Sequence, residues 1–245
     1  MMLLRKGATP LTVLAQGEGW VVIAKPPRLV VHRKDKKWEY AALQRVRDQL
    51  GVRVDPVHRL DRPASGCLLF ATERGVAGRL HSALRAGEKT YVAMVRGFCK
   101  HDDAVQIDRP MKDDKGVLRE ASSVVRVLGR AHEPRSSLLE IRPSTGRYHQ
   151  VRRHVRDLHH PILADGQHGD SKVNRWWREQ FGVRRLALHA LSLELELDGE
   201  RRRIVCPLFK DHARLFRQLP WWADALAARP ELGLEPVPML DTAPA

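Results

Sequence analysis

Apolar runs and regular alternation predict strands along most of the chain. Residues 20–24 are continuously apolar, and Lys25-Pro26-Pro27 ends this strand because two prolines cannot continue a ladder. A second short extended piece follows at 29–32, and Asp198-Gly199 predicts a hairpin turn. Further strands are predicted over 67–71, 90–96, 122–128, 137–141, 186–197 and 203–206.

Helical spacing is clearest over 40–50, where Leu43, Val46 and Leu50 share one face and Gly51 follows as a stop. Shorter helices are predicted over 75–84, 147–158, 213–219 and 223–228. The polar stretch 100–120 predicts a loop that contains a hairpin.

The predicted strands outnumber the helices, and the strand–helix alternation of a parallel sheet is absent. We therefore expect an α+β fold with a large, mainly antiparallel sheet, in one domain over residues 1–229. Residues 230–245 hold four of the 15 prolines and no lysine or arginine, which predicts a loosely ordered tail.

The charge balance narrows the class of partner. Lys and Arg number 43 against 29 Asp and Glu among 245 residues, so the net charge is +14, and the pI is about 10.3. This excess favours nucleic acid first and a membrane surface second, with an unspecialised basic protein as the alternative.

Cysteine usage and hydropathy predict the compartment. Cys67, Cys99 and Cys206 lack the spacing of a disulfide framework or a zinc site, as in proteins of a reducing compartment. No apolar run approaches the roughly 18 residues of a membrane span, and residues 1–6 lack the features of a signal peptide. We expect a cytoplasmic monomer that does not contact membranes.

The first chemical motif is the turn His58-Arg-Leu-Asp-Arg-Pro-Ala-Ser-Gly66, which precedes a buried strand. Its carboxylate, Asp61, stands between Arg59 and Arg62, and neighbouring cations keep a carboxylate ionised. An ionised, positioned carboxylate can act as a nucleophile or a base. A surface turn of salt bridges is the structural alternative.

The second motif is a basic segment at 146–160, which holds four arginines and four histidines against one acid, Asp157. Such a cluster binds phosphates, and arginine does so with bidentate geometry. A solvated basic helix is the alternative. His149 and His154 lie five apart without a glutamate between them, so the segment does not predict a metal site.

Six segments together resemble the RluA family of pseudouridine synthases. They are the Lys25-Pro26 pair with His32, then His58 to Gly66, Lys89-Thr-Tyr-Val-Ala-Met-Val-Arg-Gly97, Thr145-Gly-Arg-Tyr-His-Gln-Val-Arg152, His160-Pro-Ile162 with Asp165, and Arg185-Leu-Ala-Leu-His-Ala190. The resemblance implies a mixed, mostly antiparallel sheet with flanking helices and a central RNA-binding cleft. It also implies isomerisation of a uridine in RNA to pseudouridine without a metal or cofactor.

The resemblance also implies roles for individual residues. Asp61 matches the family's catalytic aspartate, Tyr91 the tyrosine that stacks on the uracil, and Arg152 the arginine that pairs with the aspartate. Arg59 matches a residue that fills the gap left by a flipped nucleotide. The remaining substrate-binding candidates are Arg62, Arg147, His149 and the hydrophobic pocket residues Leu186 and Leu188.

The chain departs from the family pattern at Ala64, where threonine is usual, and at Tyr148, where threonine or serine is common. An N-terminal RNA-binding domain of the S4 type is not expected, because the motifs begin almost at once. Trp176 and Trp177 allow two interpretations: stacking on unpaired bases or pinning a loop.

Asp165-Gly-Gln-His-Gly-Asp170 and the residues after it resemble the tRNA pseudouridine-65 synthase branch, which makes tRNA the expected partner. The same chemistry on 23S rRNA or at another tRNA site is the nearest alternative. A non-catalytic RNA-binding protein with the same fold is a more distant one.

Overall fold

A ten-stranded sheet forms the centre of the fold in the computed structural model, which describes residues 9–32, 41–113 and 115–240. Its strands are β1 Val13–Gly17, β2 Trp20–Lys25, β3 Asp55–Pro56, β4 Ser65–Ala71, β5 Glu88–Arg96, β6 Val105–Asp108, β9 Ser122–Ala131, β10 Ser136–Pro143, β11 Leu188–Leu197 and β12 Glu200–Val205. A separate two-stranded hairpin pairs β7 Met111–Lys112 with β8 Leu118–Arg119.

Six α-helices flank the sheet: α1 Ala42–Leu50, α2 Val76–Ala86, α3 Gln150–Asp157, α4 Ser171–Phe181, α5 Lys210–Phe216 and α6 Trp222–Ala228. The sheet order is β1-β2-β4-β11-β5-β10-β9-β6, with β12 added to β11 and β3 to β4. Every strand pair is antiparallel except β4 with β11. This mixed, mainly antiparallel sheet confirms the predicted α+β class.

Most predicted elements are confirmed with small shifts at their ends. The run at 20–24 lies in β2, which ends at Lys25 before the two prolines. Gly51 ends α1 in the left-handed conformation, with φ of 69°. The predicted start of that helix at Tyr40 lies outside the described residues, as do residues 1–6. The basic helix α3 begins at Gln150 instead of Arg147, because Gln150 Oε1 accepts from the Arg147 backbone N–H in the preceding turn.

Two predictions were wrong. Residues 29–32 form no strand, since Lys25 Nζ and the backbone N–H of α1 take up the carbonyl groups of Leu29 and Val30. The tail is not loose over 230–240: Pro230–Gly233 is a 3₁₀ helix, and Leu232 is fully buried. The Leu232 side chain joins the core beside α6, which the proline count does not reveal. Residues 241–245 lie outside the described part of the chain.

The pattern also missed β1, β3, β6 and α4. The first three are short edge or flanking strands, and α4 buries only Trp177 within a largely polar helix. No helix of the described segments combines the length and apolar character that crossing a membrane requires.

Gly66 allows β4 and β11 to pair in parallel at the centre of the sheet. Its φ is +122°, and a Cβ there would lie 2.2 Å from the carbonyl oxygen of Ala190. Both conditions exclude a side chain, because backbone atoms of the neighbouring strand cannot move aside. The turn that carries Asp61 therefore enters the sheet through a glycine.

Replacing Gly66 by alanine should lower the free energy of unfolding by about 3 kcal/mol or more, as strain and a backbone clash combine. Gly78→Ala is the matched control, since a Cβ at this exposed helical position meets nothing within 4 Å. The control should raise stability by roughly 0.5–1 kcal/mol. Urea denaturation measures both, and equal effects would contradict the assigned role of Gly66.

Candidate active site

A cleft of about 710 Å³ opens between the turn 57–64, strand β5 and the segment 143–152. A second lobe of about 470 Å³ adjoins it beneath the segment 164–167. Asp61, His149 and Arg152 line both lobes, so these side chains stand at the junction. All nine site residues predicted from the sequence line one lobe or the other.

The turn that carries Asp61 is fixed from both sides. The backbone N–H of Ala64 donates to the Asp61 carbonyl at 3.1 Å, which closes the turn. Lys25, with no exposed surface, donates from Nζ to the Arg62 carbonyl of the turn at 3.4 Å. The same Nζ donates to the carbonyls of Pro26 (2.8 Å) and Leu29 (2.9 Å). Burial, and then the charge of Arg185, lowers the pKa of Lys25 to about 7.

His58 serves the same turn as a neutral anchor. The backbone N–H of Leu69 in β4 donates to His58 Nε2 at 3.1 Å. Burial, followed by the nearby Lys89 charge, lowers the pKa of His58 to about 4. A neutral ring can accept this hydrogen bond at physiological pH, so His58 ties the turn to the sheet and does not contribute charge.

Arg152 connects the turn to the opposite wall of the cleft. Its Nη1 donates to Asp61 Oδ2 at 3.1 Å, while Nε and Nη2 each donate to Asp165 at 2.7 Å. The Arg152 side chain is 4% exposed, and that of Asp61 is 24% exposed. Burial opposes the charge of Arg152, but the two carboxylates outweigh it and raise the pKa of the guanidinium.

Asp165 is held as firmly as the guanidinium that it binds. Its Oδ1 accepts from the backbone N–H groups of Gln167 (2.9 Å) and His168 (3.0 Å). Asn174 in α4 donates to the Asp165 carbonyl at 3.0 Å and accepts from Ala164 at 2.8 Å. Burial opposes ionisation, but the Arg152 hydrogen bonds lower the pKa of Asp165 below its usual value. Asp165 therefore remains ionised inside the protein.

His149 stands beside Asp61 in a constrained position. Its φ is 53°, and its Nε2 lies 3.8 Å from Asp61 Oδ1. Nδ1 shares a 3.0 Å hydrogen bond with His168, and the Tyr148 ring stacks on the imidazole with 3.7 Å between centroids. Burial lowers the pKa of His149 to about 4, although the Asp61 charge acts in the opposite direction.

Tyr91 and Leu188 form the apolar part of the main lobe. Tyr91 lies in β5 opposite Ala190 of β11, and burial, followed by the charge of Asp61, raises the pKa of its phenol. Leu188 is buried in the wall of the main lobe, whereas Leu186 lines the second lobe. The structure thus separates the two predicted pocket leucines.

Three exposed arginines surround the opening. Arg59 lines both lobes, and Arg62 lines the second, where its Nε donates to the Arg28 carbonyl at 3.3 Å. Arg147 borders the main lobe, and its Nε donates to the Glu120 carbonyl at 2.9 Å. The rim of the cleft therefore attracts anions.

Sequence reasoning missed the site roles of Asp165, Gln167 and His168. Their segment resembles one branch of the family, but an acidic residue in a predicted loop does not by itself indicate a buried ion pair. The signal available was the segment Asp165-Gly-Gln-His-Gly-Asp170, in which two acids enclose a glycine-containing turn before α4. Across the described segments, three or more His, Cys, Asp or Glu side chains do not gather as metal ligands would.

The arrangement suits covalent or general-base chemistry on a flat, uncharged ring attached to an anionic backbone. One partly exposed carboxylate, Asp61, faces the cleft with its orientation set by Arg152. Tyr91 and Leu188 offer an apolar wall, and the arginines of the rim can contact phosphates.

Comparison with known proteins identifies the family. The family described as RNA pseudouridylate synthase matches residues 19–157. The tRNA pseudouridine synthase C of Vibrio vulnificus (strain CMCP6) is 35% identical over 242 residues, covering 89% of this chain and 99% of that protein. The protein of the same name from Vibrio cholerae serotype O1 is 39% identical over 207 residues, covering 75% of this chain and 84% of that protein.

Solved structures show the same fold. Human RNA pseudouridylate synthase domain containing 4 superposes with a TM-score of 0.67 at 23% identity, covering 92% of this chain and 95% of that one. Human RNA pseudouridylate synthase domain containing 1 gives a TM-score of 0.67 at 21% identity, covering 84% and 86%.

The position of His149 predicts an unusual titration. Its imidazole should remain neutral until the pH falls to about 4, and Asp61→Asn should lower this pKa further because it removes the neighbouring negative charge. Histidine NMR across a pH series, with His149→Gln to assign the signal, measures both values. An ordinary pKa near 6.5, or an upward shift in Asp61→Asn, would contradict this geometry.

Proposed function

Because the chain belongs to the RNA pseudouridylate synthase family and is an isomerase, we propose that it converts uridine 65 of tRNA to pseudouridine with Asp61 as the nucleophile. The observation that carries this proposal is the Asp61–Arg152 contact of 3.1 Å inside the cleft. It supplies one ionised carboxylate in a fixed orientation, and the described residues of the turn offer no second carboxylate that would activate water.

The reaction is balanced without a co-reactant. The N1–C1′ bond of uridine breaks, the base turns within the site, and C5 bonds to C1′. C5 loses a proton and N1 gains one, so the product has the composition of the substrate. Asp61 takes part in detaching the base as a nucleophile. Its hydrogen bond to Arg152 uses Oδ2, while Oδ1 lies toward His149.

Tyr91 is proposed to stack on the uracil. Burial, followed by the charge of Asp61, raises the pKa of the phenol, so Tyr91 ionises less readily than an exposed tyrosine. This favours stacking and hydrogen-bond donation over proton removal from C5. Leu188 supports the same apolar wall, and Leu186 contacts the substrate from the second lobe. The flat base thus meets the apolar surface of Tyr91 and Leu188 in the same lobe that Asp61 lines.

The arginines of the rim are proposed to contact RNA. Arg62 and Arg147 bind phosphates, and His149 supports the base or its sugar beside Asp61. Arg59 lines both lobes, which suits a side chain that fills the space of a flipped nucleotide. Flipping costs a few kcal/mol, and an inserted side chain offsets part of that cost.

Relatives named tRNA pseudouridine synthase C support tRNA as the substrate. We further propose a monomer that works in the cytoplasm, where its three buried cysteines, Cys67, Cys99 and Cys206, remain free thiols. A product at a 23S rRNA site would retain the chemistry and replace the substrate.

Asp61→Ala should abolish the release of tritium from C5-labelled uridine in a tRNA transcript, because the nucleophile is lost. RNA affinity should remain within about fivefold, since phosphate contacts supply most of the binding. Asp102→Ala, at a side chain 86% exposed, is the control and should retain full activity. Loss of RNA binding in Asp61→Ala would make Asp61 a structural residue.

Asp165→Asn should lower kcat by roughly 100-fold with little change in KM, because a small displacement of a reactive group is this costly. The amide can accept only one of the two Arg152 hydrogen bonds, so Arg152 would no longer fix Asp61. Asp102→Asn provides the matched change on the surface. Since Asp165 is buried, urea denaturation must show a folded variant; a folded Asp165→Asn enzyme with normal kcat would contradict this positioning role.

A further inference from the structure

A second basic groove, of about 760 Å³, lies away from the cleft. It is formed by the end of β5, the turn before β10, the end of α3 and one face of α4. We call it the arginine groove. Its lining includes the side chains of Arg96, Arg135, Arg156, His159, His160 and Trp176. The cleft and this groove lie at opposite ends of α3.

The charge of the arginine groove is strongly positive. Arg96, Arg135 and Arg156 are all exposed, and its described lining contains no acidic residue. Arg96 reaches Asp170 at 3.3 Å in an exposed pair, and such pairs contribute little binding energy. Arg156 reaches Asp157 at 2.8 Å, but Asp157 also pairs with Arg109 and the Arg156 side chain is 45% exposed. Incoming phosphates can therefore compete for these guanidinium groups.

The groove is rigid where the arginines are anchored. The backbone N–H of Arg96 donates to the Pro161 carbonyl at 2.9 Å, and His160 Nδ1 donates to the Arg96 carbonyl at 2.8 Å. The Gly97 N–H donates to the Arg135 carbonyl at 3.2 Å. Three separate chain segments are thus fixed together before any ligand binds.

The two adjacent tryptophans have different environments. Trp177 is 2% exposed and pins α4 to the core, whereas Trp176 is 45% exposed at the groove. The rings meet edge to face, with 5.3 Å between centroids and an angle of 87°. Trp176 is therefore a positioned, accessible aromatic surface beside three arginines, which is the combination that binds unpaired nucleotides.

We propose that the arginine groove is a second RNA-binding site, which holds phosphates on Arg96, Arg135 and Arg156 and stacks an unpaired base on Trp176. It rests on the proposed function, because the same RNA occupies the cleft. Arg96 lies five residues beyond Tyr91 on β5, so the backbones of the two residues are about 17 Å apart. Only an RNA that extends beyond the target can reach both sites.

The test compares two RNAs as ligands and substrates of the wild-type enzyme and of its variants. The probes are an unmodified tRNA transcript that the wild-type enzyme modifies and a short hairpin cut from it around the target uridine. The variants are Arg135→Glu and Trp176→Ala. Arg201→Glu is the matched charge reversal: Arg201 contacts Glu194, which pairs with Glu88 at the opposite end of β5.

For the full tRNA, we expect each groove variant to weaken binding at least about fivefold, and Arg135→Glu to reduce the salt slope by about 1. For the short hairpin, the kcat/KM of each groove variant should equal that of the wild-type enzyme. This equality would also show that the variants are folded. Trp176→Phe should restore most of the tRNA affinity, and Arg201→Glu should behave as wild type.

Equal tRNA binding by wild type and both groove variants would overturn the proposal, as would equal losses for hairpin and tRNA. A wild-type enzyme that leaves every tRNA unmodified would instead refute the proposed function. A groove that binds a protein instead of RNA would leave tRNA binding equal in wild type and variants, which overturns the proposal for the groove. The modification of tRNA by the wild-type enzyme would be unaffected, so this failure differs from a failure of the proposed function.

Discussion

A buried guanidinium shared by two carboxylates is the interaction on which the site depends. Arg152 makes two 2.7 Å bonds to Asp165 and one 3.1 Å bond to Asp61. A buried charge is tolerable only when it is paired and hydrogen-bonded, and Asp165 meets this condition with two further backbone donors. Asp165 therefore fixes Arg152, while Asp61, with one bond and more exposure, remains available to a substrate.

The sheet beneath the cleft keeps this geometry rigid. Ser65, next to Gly66, donates to His189 Nδ1 at 2.9 Å, and His189 Nε2 donates to the Cys206 carbonyl at 2.9 Å. Burial lowers the pKa of His189 to about 4, so the ring is neutral and both hydrogen bonds persist at physiological pH. The turn that carries Asp61 thus continues directly into a buried chain of hydrogen bonds that links β4, β11 and the end of β12.

Sequence patterns predict an element well when the residues that determine it lie close together along the chain. The Asp61 turn, the apolar strands and the basic helix are each encoded within about ten residues. The Arg152–Asp165 contact spans 13 residues and depends on how α3 and α4 dock, which periodicity does not encode. The same limit applies to Trp176 and Trp177, because a largely polar helix does not reveal which tryptophan enters the core. Short edge strands such as β1 were missed because hydrogen bonding to a neighbouring strand defines them, and not the hydrophobic pattern of their own sequence.

Pseudouridine mapping at single-nucleotide resolution tests both the substrate and the role of Asp61. Total tRNA and rRNA would be compared from cells with the gene, without it, and with Asp61→Ala in its place. We expect one signal, at uridine 65 of tRNA, to disappear both without the gene and with Asp61→Ala. A signal lost only in rRNA would contradict the substrate, and unchanged signals at every position would contradict catalysis by Asp61.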